Sequence, residues 1–287
     1  MARWFATVLQ TFWRVLTGTF VKFFEDNGPL LASGLAFTIL LFCIPFALLI
    51  VMALEFAFGD PNLALDALQA ILNEFLPLTR DAFRDNLEMA VENRGLLGVL
   101  GFSMFFLMSS LIFGTARTVL NIVFQINEAS SVFRTAASNV LVMLLASGLL
   151  LVMVALTTLF TLAKRAVDRL PYLEAMIGPW AVFASDLLGF LFAFALLYVV
   201  YRFCPAHCLQ RPALLVAAFA GAALFELSKW GYAWYVELSQ KNILVYGAVG
   251  ELFIFFVWIY YASAVVILGA ESGWVVQQTL EVSGEDW

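Results

Sequence analysis

The sequence predicts an all-α membrane protein with about six transmembrane helices. Its mean hydropathy is +0.94, and 63% of its 287 residues are hydrophobic against 13% charged. Soluble domains carry about 25% charged residues, so this composition is typical of a chain in contact with lipid. Several apolar runs also exceed the ~20 residues that cross a hydrocarbon core as a helix. We therefore expect a single integral membrane domain over residues 1–287.

The apolar runs and the polar segments between them define the predicted elements. An amphipathic helix over 1–28 carries Trp4 and Trp13 as interfacial anchors, with Arg14 and Lys22 on its polar side. It either lies on the membrane or packs under the helical bundle. The predicted transmembrane spans cover residues 30–58, 95–124, 131–163, 178–203, 213–238 and 245–275.

Residues 59–94 form the one sizeable segment that is predicted to lie outside the membrane. This segment is acidic and its leucines recur at helical spacing, so it is either a solvated helical cap or a lid over a substrate path. The even number of spans places both termini on one side of the membrane. The positive-inside tendency at the first helix favours the cytoplasmic side for them.

Turn residues and small residues refine this picture. The sequence Asp26-Asn27-Gly28-Pro29 predicts a turn followed by a helix start, and Pro45 predicts a kink inside the first span. A short polar turn is expected at 239–244, between the last two spans. Pairs of small residues four apart favour close helix packing and, as a second use, homo-oligomerisation: Ala217/Gly221, Ser110/Gly114 and Gly269/Gly273.

Charged side chains set into the apolar runs are the candidate functional residues. A charge near the bilayer centre costs ~2.5–3.5 kcal/mol, so an intramembrane ionisable residue indicates a function by default. Glu226 and Lys229 are predicted near the midplane, and helical spacing puts them on one face of the fifth span. The complete predicted pathway comprises Glu226, Lys229, Glu237, Glu251, Asp186 and Arg117.

Two interpretations of this set remain open. In the first, the carboxylates line an acidic vestibule that opens outward and leads a cation, a proton or a zwitterion to the midplane. In the second, Glu226 and Lys229 neutralise each other, while Glu55, Glu237 and Glu251 lie at the depth of the lipid head groups. Arg117 is either a cross-helix partner for a carboxylate or, through its planar guanidinium, a phosphate clamp.

Composition and spacing exclude several other functions. A net charge of −6 and a pI near 4.8 leave no basic patch for nucleic acid. Cys204, His207 and Cys208 are too few for a zinc site, which normally takes four ligands, so no metal and no cofactor are expected. The single histidine has no adjacent acid for nucleophilic catalysis. We therefore expect a protein that is not an enzyme.

The sequence resembles the YihY/virulence factor BrkB family over about residues 20–275. The early first span is similar to that family in Ala32–Thr38 and in the later Pro45, although Phe37 stands where a tyrosine is expected. Three motifs toward the C-terminus add to the resemblance: Val245-Tyr246-Gly247-Ala248, Trp258-Ile259-Tyr260-Tyr261 and Leu268-Gly269-Ala270-Glu271.

This resemblance implies a bacterial inner-membrane protein of six helices that contacts membrane lipids. Members of the family have carried the label ribonuclease BN, against which the acidic charge of this chain argues independently. Some relatives are associated with export of envelope lipid or lipopolysaccharide. The first hypothesis is therefore a transporter or lipid-handling protein whose substrate is a small cation, a zwitterion or a lipid. The alternative is a non-transporting scaffold or assembly factor for the envelope.

Overall fold

The protein is helical throughout the part that the structure describes. The computed structural model describes residues 2–58, 94–126 and 171–284, with a few helical residues between 141 and 152. The predicted acidic loop, apart from Arg94, and most of the predicted third span therefore lie outside the described residues. The helices are α1 (Ala2–Glu25), α2 (Gly28–Phe58), α3 (Arg94–Val123), α4 (Pro171–Phe203) and α5 (Arg211–Gly284).

These helices contribute to two compact units, each of which is described by itself. The first unit takes in Met1–Pro29, Ala116–Leu227 and Val265–Trp287. The second takes in Leu30–Thr115 and Ser228–Ala264.

The predicted turn between α1 and α2 is confirmed. Asn27 adopts a positive φ of 56°, which asparagine tolerates better than most residues and which ends α1. A Cβ atom at Gly28 would lie 2.3 Å from the Phe23 ring, so only glycine fits there. Pro29 follows in the first turn of α2, where its missing N–H has no helical partner to lose.

The end of α3 is closed by backbone hydrogen bonds. Gln125 has a φ of 53°, and the amide of Ile126 donates to the carbonyl of Asn121 at 2.8 Å. This is a Schellman-type cap, which satisfies carbonyls that would otherwise be left without partners. The same end of α3 faces the loop after α4, because the amide of Ala206 donates to Oδ1 of Asn121 at 3.0 Å.

The helices extend beyond two of the predicted boundaries. The fourth span was expected to begin at residue 178, but α4 begins at Pro171 and continues through Gly178. Proline is well suited to the first turn of a helix, and this preference identifies the start better than the later Gly-Pro pair. The polar turn expected at 239–244 is helical as well, because α5 runs from Arg211 to Gly284 without a break in helical residues.

The helical residues of α5 nevertheless form two antiparallel limbs, Arg211–Tyr232 and Phe253–Glu281. A Cβ at Gly269 would lie 2.8 Å from the Cα of Gly221, and one at Gly273 would lie 2.6 Å from the Cβ of Ala217. At ~1.5 Å per residue, a straight helix would separate each pair by tens of ångströms, so the chain must reverse. The two pairs lie symmetrically about residue 245.

The small-residue pairs of α5 therefore serve helix packing, as predicted. Tyr201 of α4 covers the crossing point: its ring is fully buried, and its hydroxyl donates to the carbonyl oxygen of Val266 at 2.6 Å. The same hydroxyl would lie 2.6 Å from a Cβ at Gly269. The pair Ser110/Gly114 of α3 behaves differently, because a Cβ at Gly114 would meet nothing within 4 Å.

Removing the Tyr201 hydroxyl will weaken the first unit modestly. The Tyr201→Phe substitution removes one buried hydrogen bond and leaves the ring in place, so the free energy of unfolding should fall by about 1 kcal/mol. Guanidinium unfolding in detergent micelles measures the change. The control is Tyr198→Phe, which removes the hydroxyl of another tyrosine on the same helix. The described contact of Tyr198 is made by its ring, which stacks on Phe194 at 6.4 Å between centroids and is retained in phenylalanine. Equal effects of the two substitutions would contradict the assignment.

Aromatic rings fill the core of the second unit. Phe42 stacks on Phe46 at 5.2 Å, and both rings meet Phe105 of α3 at 5.4 and 6.4 Å. Tyr232 and Trp258 join the two limbs of α5 at 4.5 Å between ring centroids. Such offset and tilted pairs are the arrangements that aromatic rings prefer.

The described helices expose large apolar side chains, as membrane helices do. Leu107 of α3, Phe219 of α5 and Phe253 of α5 are each more than half exposed. Among the residues that the structure describes, three helices are long and apolar enough to cross a membrane: Ser103–Val123 and the two limbs of α5. A fourth is counted if the bent pair Trp13–Glu25 and Gly28–Cys43 forms one span. The described part thus confirms an all-helical protein with several membrane-span candidates, and the total of six stays a prediction.

Candidate functional site

The C-terminal half of α1 turns polar side chains inward. Thr19 and Lys22 are buried, whereas Trp13, Phe20 and Phe24 on the opposite side are at least half exposed. The sequence analysis placed Lys22 on the polar side of α1, and the structure buries that side chain within the first unit. The physical reason is that carboxylates and a carbonyl from the first unit surround its ammonium group, which compensates for the water that it loses.

The Lys22 ammonium is the centre of a polar cluster that joins three helices. It donates to the carboxylate of Asp26, one turn further along α1, and to the carbonyl oxygen of Val123 at 2.8 Å. Its Nζ also lies 2.7 Å from Oε2 of Glu271 in the second limb of α5. The ring of Trp274 lies beneath it, 4.4 Å from Nζ to the centroid. We call these groups the Lys22 cluster.

The charges of the Lys22 cluster do not balance. One ammonium lies between two carboxylates, and Glu271 is 0% exposed while Lys22 is 5% exposed. The Lys22–Glu271 contact has the distance of an ion pair but not the geometry of a hydrogen bond. Oε1 of Glu271 has no hydrogen-bond partner among the described residues. A buried carboxylate in this position is costly unless its charge is compensated.

A cleft of about 490 Å³ lies beside the Lys22 cluster. Its wall combines charged and polar side chains from α1, the α3 cap and the end of α5 with apolar groups of α1 and α5. The lining residues are Arg14, Gly18, Val21, Lys22, Glu25, Asp26, Gln125, Trp274, Val275, Gln278 and Thr279. The cleft therefore offers hydrogen-bonding groups and an apolar surface within one concave site.

Three of the predicted pathway residues have described side chains. Arg117 in α3 is 7% exposed, and its charge acts on the neighbouring thiol of Cys204. Glu226 in the first limb of α5 is half-buried, and its Oε1 atom is out of reach of solvent. Lys229, which belongs to the second unit, is half-buried too. The predicted pairing of Glu226 with Lys229 stays a prediction.

The other three predicted pathway residues lie on helices, but their side chains fall outside the described part of the chain. Asp186 belongs to α4, and Glu237 and Glu251 belong to the continuous helical run of α5. Their proposed role as the lining of a vestibule therefore stays a prediction as well.

The connection between α4 and α5 carries the three residues considered for a metal site. Cys204 is buried and Cys208 is exposed, so their side chains do not share one environment. Burial raises the pKa of the Cys204 thiol to about 12, against an opposing effect of the Arg117 guanidinium. The thiol is therefore protonated at neutral pH, which disfavours metal binding. Within the described residues, no three His, Cys, Asp or Glu side chains gather as metal ligands would.

The Lys22 cluster was not among the predicted functional residues. Glu271 entered the sequence analysis only through the motif Leu268–Glu271, near the end of a predicted span, where a charge is easily taken for a boundary. The residues on either side of Glu271 in the sequence are a better indication that it is buried. Gly269, Ala270, Ser272 and Gly273 are small and buried, so an acid among them sits where helices approach closely.

Comparison with known proteins gives consistent matches. The sequence matches the family described as Virulence factor BrkB over residues 19–287. A UPF0761 membrane protein of Pseudoalteromonas atlantica is 26% identical over 262 residues, which is 90% of this chain and 84% of the relative. One from Xanthomonas campestris pv. campestris is 30% identical over 257 residues, which is 87% of this chain and 57% of the relative.

The lengths of these proteins differ. A UPF0761 membrane protein of Vibrio campbellii is 28% identical over 203 residues, 70% of this chain and 62% of the relative. The chain thus spans somewhat more than half the length of the Xanthomonas and Vibrio relatives. No solved structure matches it.

Proposed function

The chain belongs to the virulence factor BrkB family, and on that premise we propose that it transports or otherwise handles an amphiphilic envelope molecule. The relatives are named membrane proteins. In this proposal the protein is a multi-pass protein of the bacterial inner membrane with cytoplasmic termini. It moves its substrate without making or breaking a covalent bond, so it is not an enzyme.

The observation that carries the proposal is the burial of charged side chains among apolar helices. Lys22, Arg117 and Glu271 are each 7% exposed or less. Each charge costs free energy where water and lipid head groups do not reach it, and apolar residues of similar size would pack at least as well. A pathway for a polar head group requires such groups, whereas a protein that only holds partners together does not.

The chemistry of the cleft supports the substrate class. Arg14, Glu25 and Gln125 offer both signs of charge and hydrogen-bonding groups, while Val21 and Val275 offer apolar surface. A zwitterionic or anionic head group with an attached acyl chain matches both parts of this wall. Glu226 and Lys229 would contact the head group nearer the membrane midplane, and Arg117 would bind its phosphate.

Neutralising Glu226 tests the proposal. We expect Glu226→Gln to abolish transport while the protein stays folded, because the amide has nearly the same shape but no charge. The assay follows a fluorescent phosphatidylethanolamine across the bilayer of liposomes that contain the purified protein. The control is Glu281→Gln, because Glu281 is an exposed acid on the second limb of α5 that accepts a hydrogen bond from Gln277 at 2.6 Å.

A second variant decides against the proposal if it retains activity. In Glu226→Gln, Lys229→Met both predicted midplane charges are removed together, so neither is left without its predicted partner. Full transport by this double variant would mean that the two residues are packing groups.

One observation favours the alternative of a non-transporting scaffold. Leu227, Trp230 and Trp234 form an exposed stripe along the first limb of α5, and Trp230 is 74% exposed. Such a stripe suits contact with lipid or with a partner helix. If the protein is a scaffold, the Glu226→Gln variant expressed in a deletion strain would restore the envelope phenotype. A variant with Trp230 and Trp234 replaced by leucine would not restore it. The reverse pattern supports transport.

A further inference from the structure

We propose that Glu271 is a proton-binding site, and that proton binding there loosens the contact between α1 and the second limb of α5. The inference deepens the proposed function, on which it rests in one respect: the proton would be the ion that drives transport. Proton binding itself does not require that the protein be a transporter.

The charge count of the Lys22 cluster is the first argument. One ammonium compensates two carboxylates, so a negative charge remains in the cluster. Glu271 is the carboxylate without access to solvent, whereas Asp26 is 18% exposed. A proton on Glu271 removes the excess charge at the position where it is least solvated.

The partners of Lys22 are the second argument, because the ammonium has a bound oxygen in either protonation state of Glu271. With Glu271 ionised, Lys22 lies 2.7 Å from its Oε2. With Glu271 protonated, the ammonium keeps the Asp26 carboxylate and the Val123 carbonyl as acceptors. Lys22 thus stays bound to α1 and α3, and the interaction that weakens is the one with α5. Oε1 of Glu271, which has no partner among the described residues, is the free position for the proton.

Access to the site is the third argument. Lys22 and Asp26 both line the 490 Å³ cleft, and Lys22 contacts Glu271 directly. Only the Lys22 side chain therefore separates water in the cleft from the Glu271 carboxylate, and this water is the source of the proton and receives it again on release. No other reactant is needed.

Lys22 and Asp26 are the charged groups that control the protonation of Glu271. From α3 the cluster receives a backbone carbonyl. From α4 the Tyr201 phenol reaches this part of α5, where it donates to the carbonyl of Val266. The first limb of α5 presents Ala217 and Gly221 to this part of the second limb. Arg14 and Glu25, which line the cleft, carry opposite charges.

The test uses the full chain in lipid nanodiscs and measures protonation directly. Infrared difference spectra on acidification from neutral pH should show the carbonyl band of a buried carboxylic acid. We expect Glu271→Gln to lose this band and Glu281→Gln to keep it. Spin labels on cysteines at the exposed positions Phe20 and Leu280 report the distance between α1 and α5. That distance should lengthen on acidification in the parent protein and stay constant in Glu271→Gln.

The double variant Lys22→Gln, Glu271→Gln serves if the single variant does not fold, because it leaves neither partner of the ion pair charged. It should lack the band and the distance change. Persistence of either signal in a Glu271 variant overturns the proposal. Because transport is not measured, these outcomes are independent of the loss or retention of activity in Glu226→Gln.

Discussion

Replacing Lys22 with methionine will lower the free energy of unfolding by about 3–5 kcal/mol, the usual cost of removing one partner of a buried ion pair. Methionine retains most of the volume and apolar character of the lysine stem, so the loss is mainly electrostatic. Glu271 would lose the cation that faces it, so it would either carry an uncompensated buried charge or take up a proton, and both cost free energy. The carbonyl oxygen of Val123 would also lose the hydrogen bond that it accepts from Lys22. Thermal or guanidinium unfolding in micelles measures the change.

Two companion variants isolate the electrostatic contribution. Arg14→Met removes an exposed cation from the same helix and should change the free energy of unfolding by less than about 0.5 kcal/mol. Adding Glu271→Gln to Lys22→Met should recover most of the loss, because no buried charge then lacks a partner. The double-mutant cycle gives the coupling free energy of the two residues. Additive effects would mean that the ion pair does not stabilise the first unit.

Gly269→Ala should destabilise the first unit by about 1–3 kcal/mol, the usual cost of an added methyl group in a well-packed core. Its Cβ would lie 2.6 Å from the Tyr201 hydroxyl, 2.8 Å from the Cα of Gly221 and 3.1 Å from the carbonyl oxygen of Ala217. Two of these atoms belong to backbone, so relief requires the limbs of α5 to move apart. The same substitution favours a helix by about 1 kcal/mol, which is too little to offset the clash.

The matched control for that variant is Gly114→Ala. A Cβ there would meet nothing within 4 Å, so only the helical preference acts, and the variant should be more stable by up to about 1 kcal/mol. Opposite signs at the two glycines are the expected result of parallel unfolding measurements. Destabilisation at both, or at neither, would contradict the close approach of the two limbs.

Local signals predicted much of the described fold. The expected spans 30–58 and 95–124 agree within two residues with α2 and α3, because Gly28-Pro29 and the length of each apolar run mark the boundaries. The family resemblance, inferred from short motifs, is confirmed by the match over 19–287. The reversal of α5 was expected, but its helical backbone was not. Polar residues at 239–244 indicate where a chain leaves an apolar environment and do not by themselves end a helix.

The site was harder to predict because its members are distant in the chain. Asp26 lies one turn from Lys22, and helical spacing finds such a pair. Glu271 and Val123 are brought to Lys22 only by tertiary packing, on which no local pattern reports. Burial depth was equally invisible: Arg117 is more buried than Glu226, although both are single charges in apolar runs. The predicted outer vestibule depends on Asp186, Glu237 and Glu251, whose side chains lie outside the described part of the chain. It therefore stays a prediction.

The distance in sequence between Lys22 and Glu271 has a consequence for biogenesis. Roughly 250 residues separate them, and a ribosome that adds ~5–20 residues per second needs about 12–50 s to make that stretch. During this interval the N-terminal cation is in the membrane-inserting chain while its acidic partner does not yet exist. The ion pair can therefore form only after the second limb of α5 has been made, so α1 takes its final position late. The contact thereby registers that this limb is present.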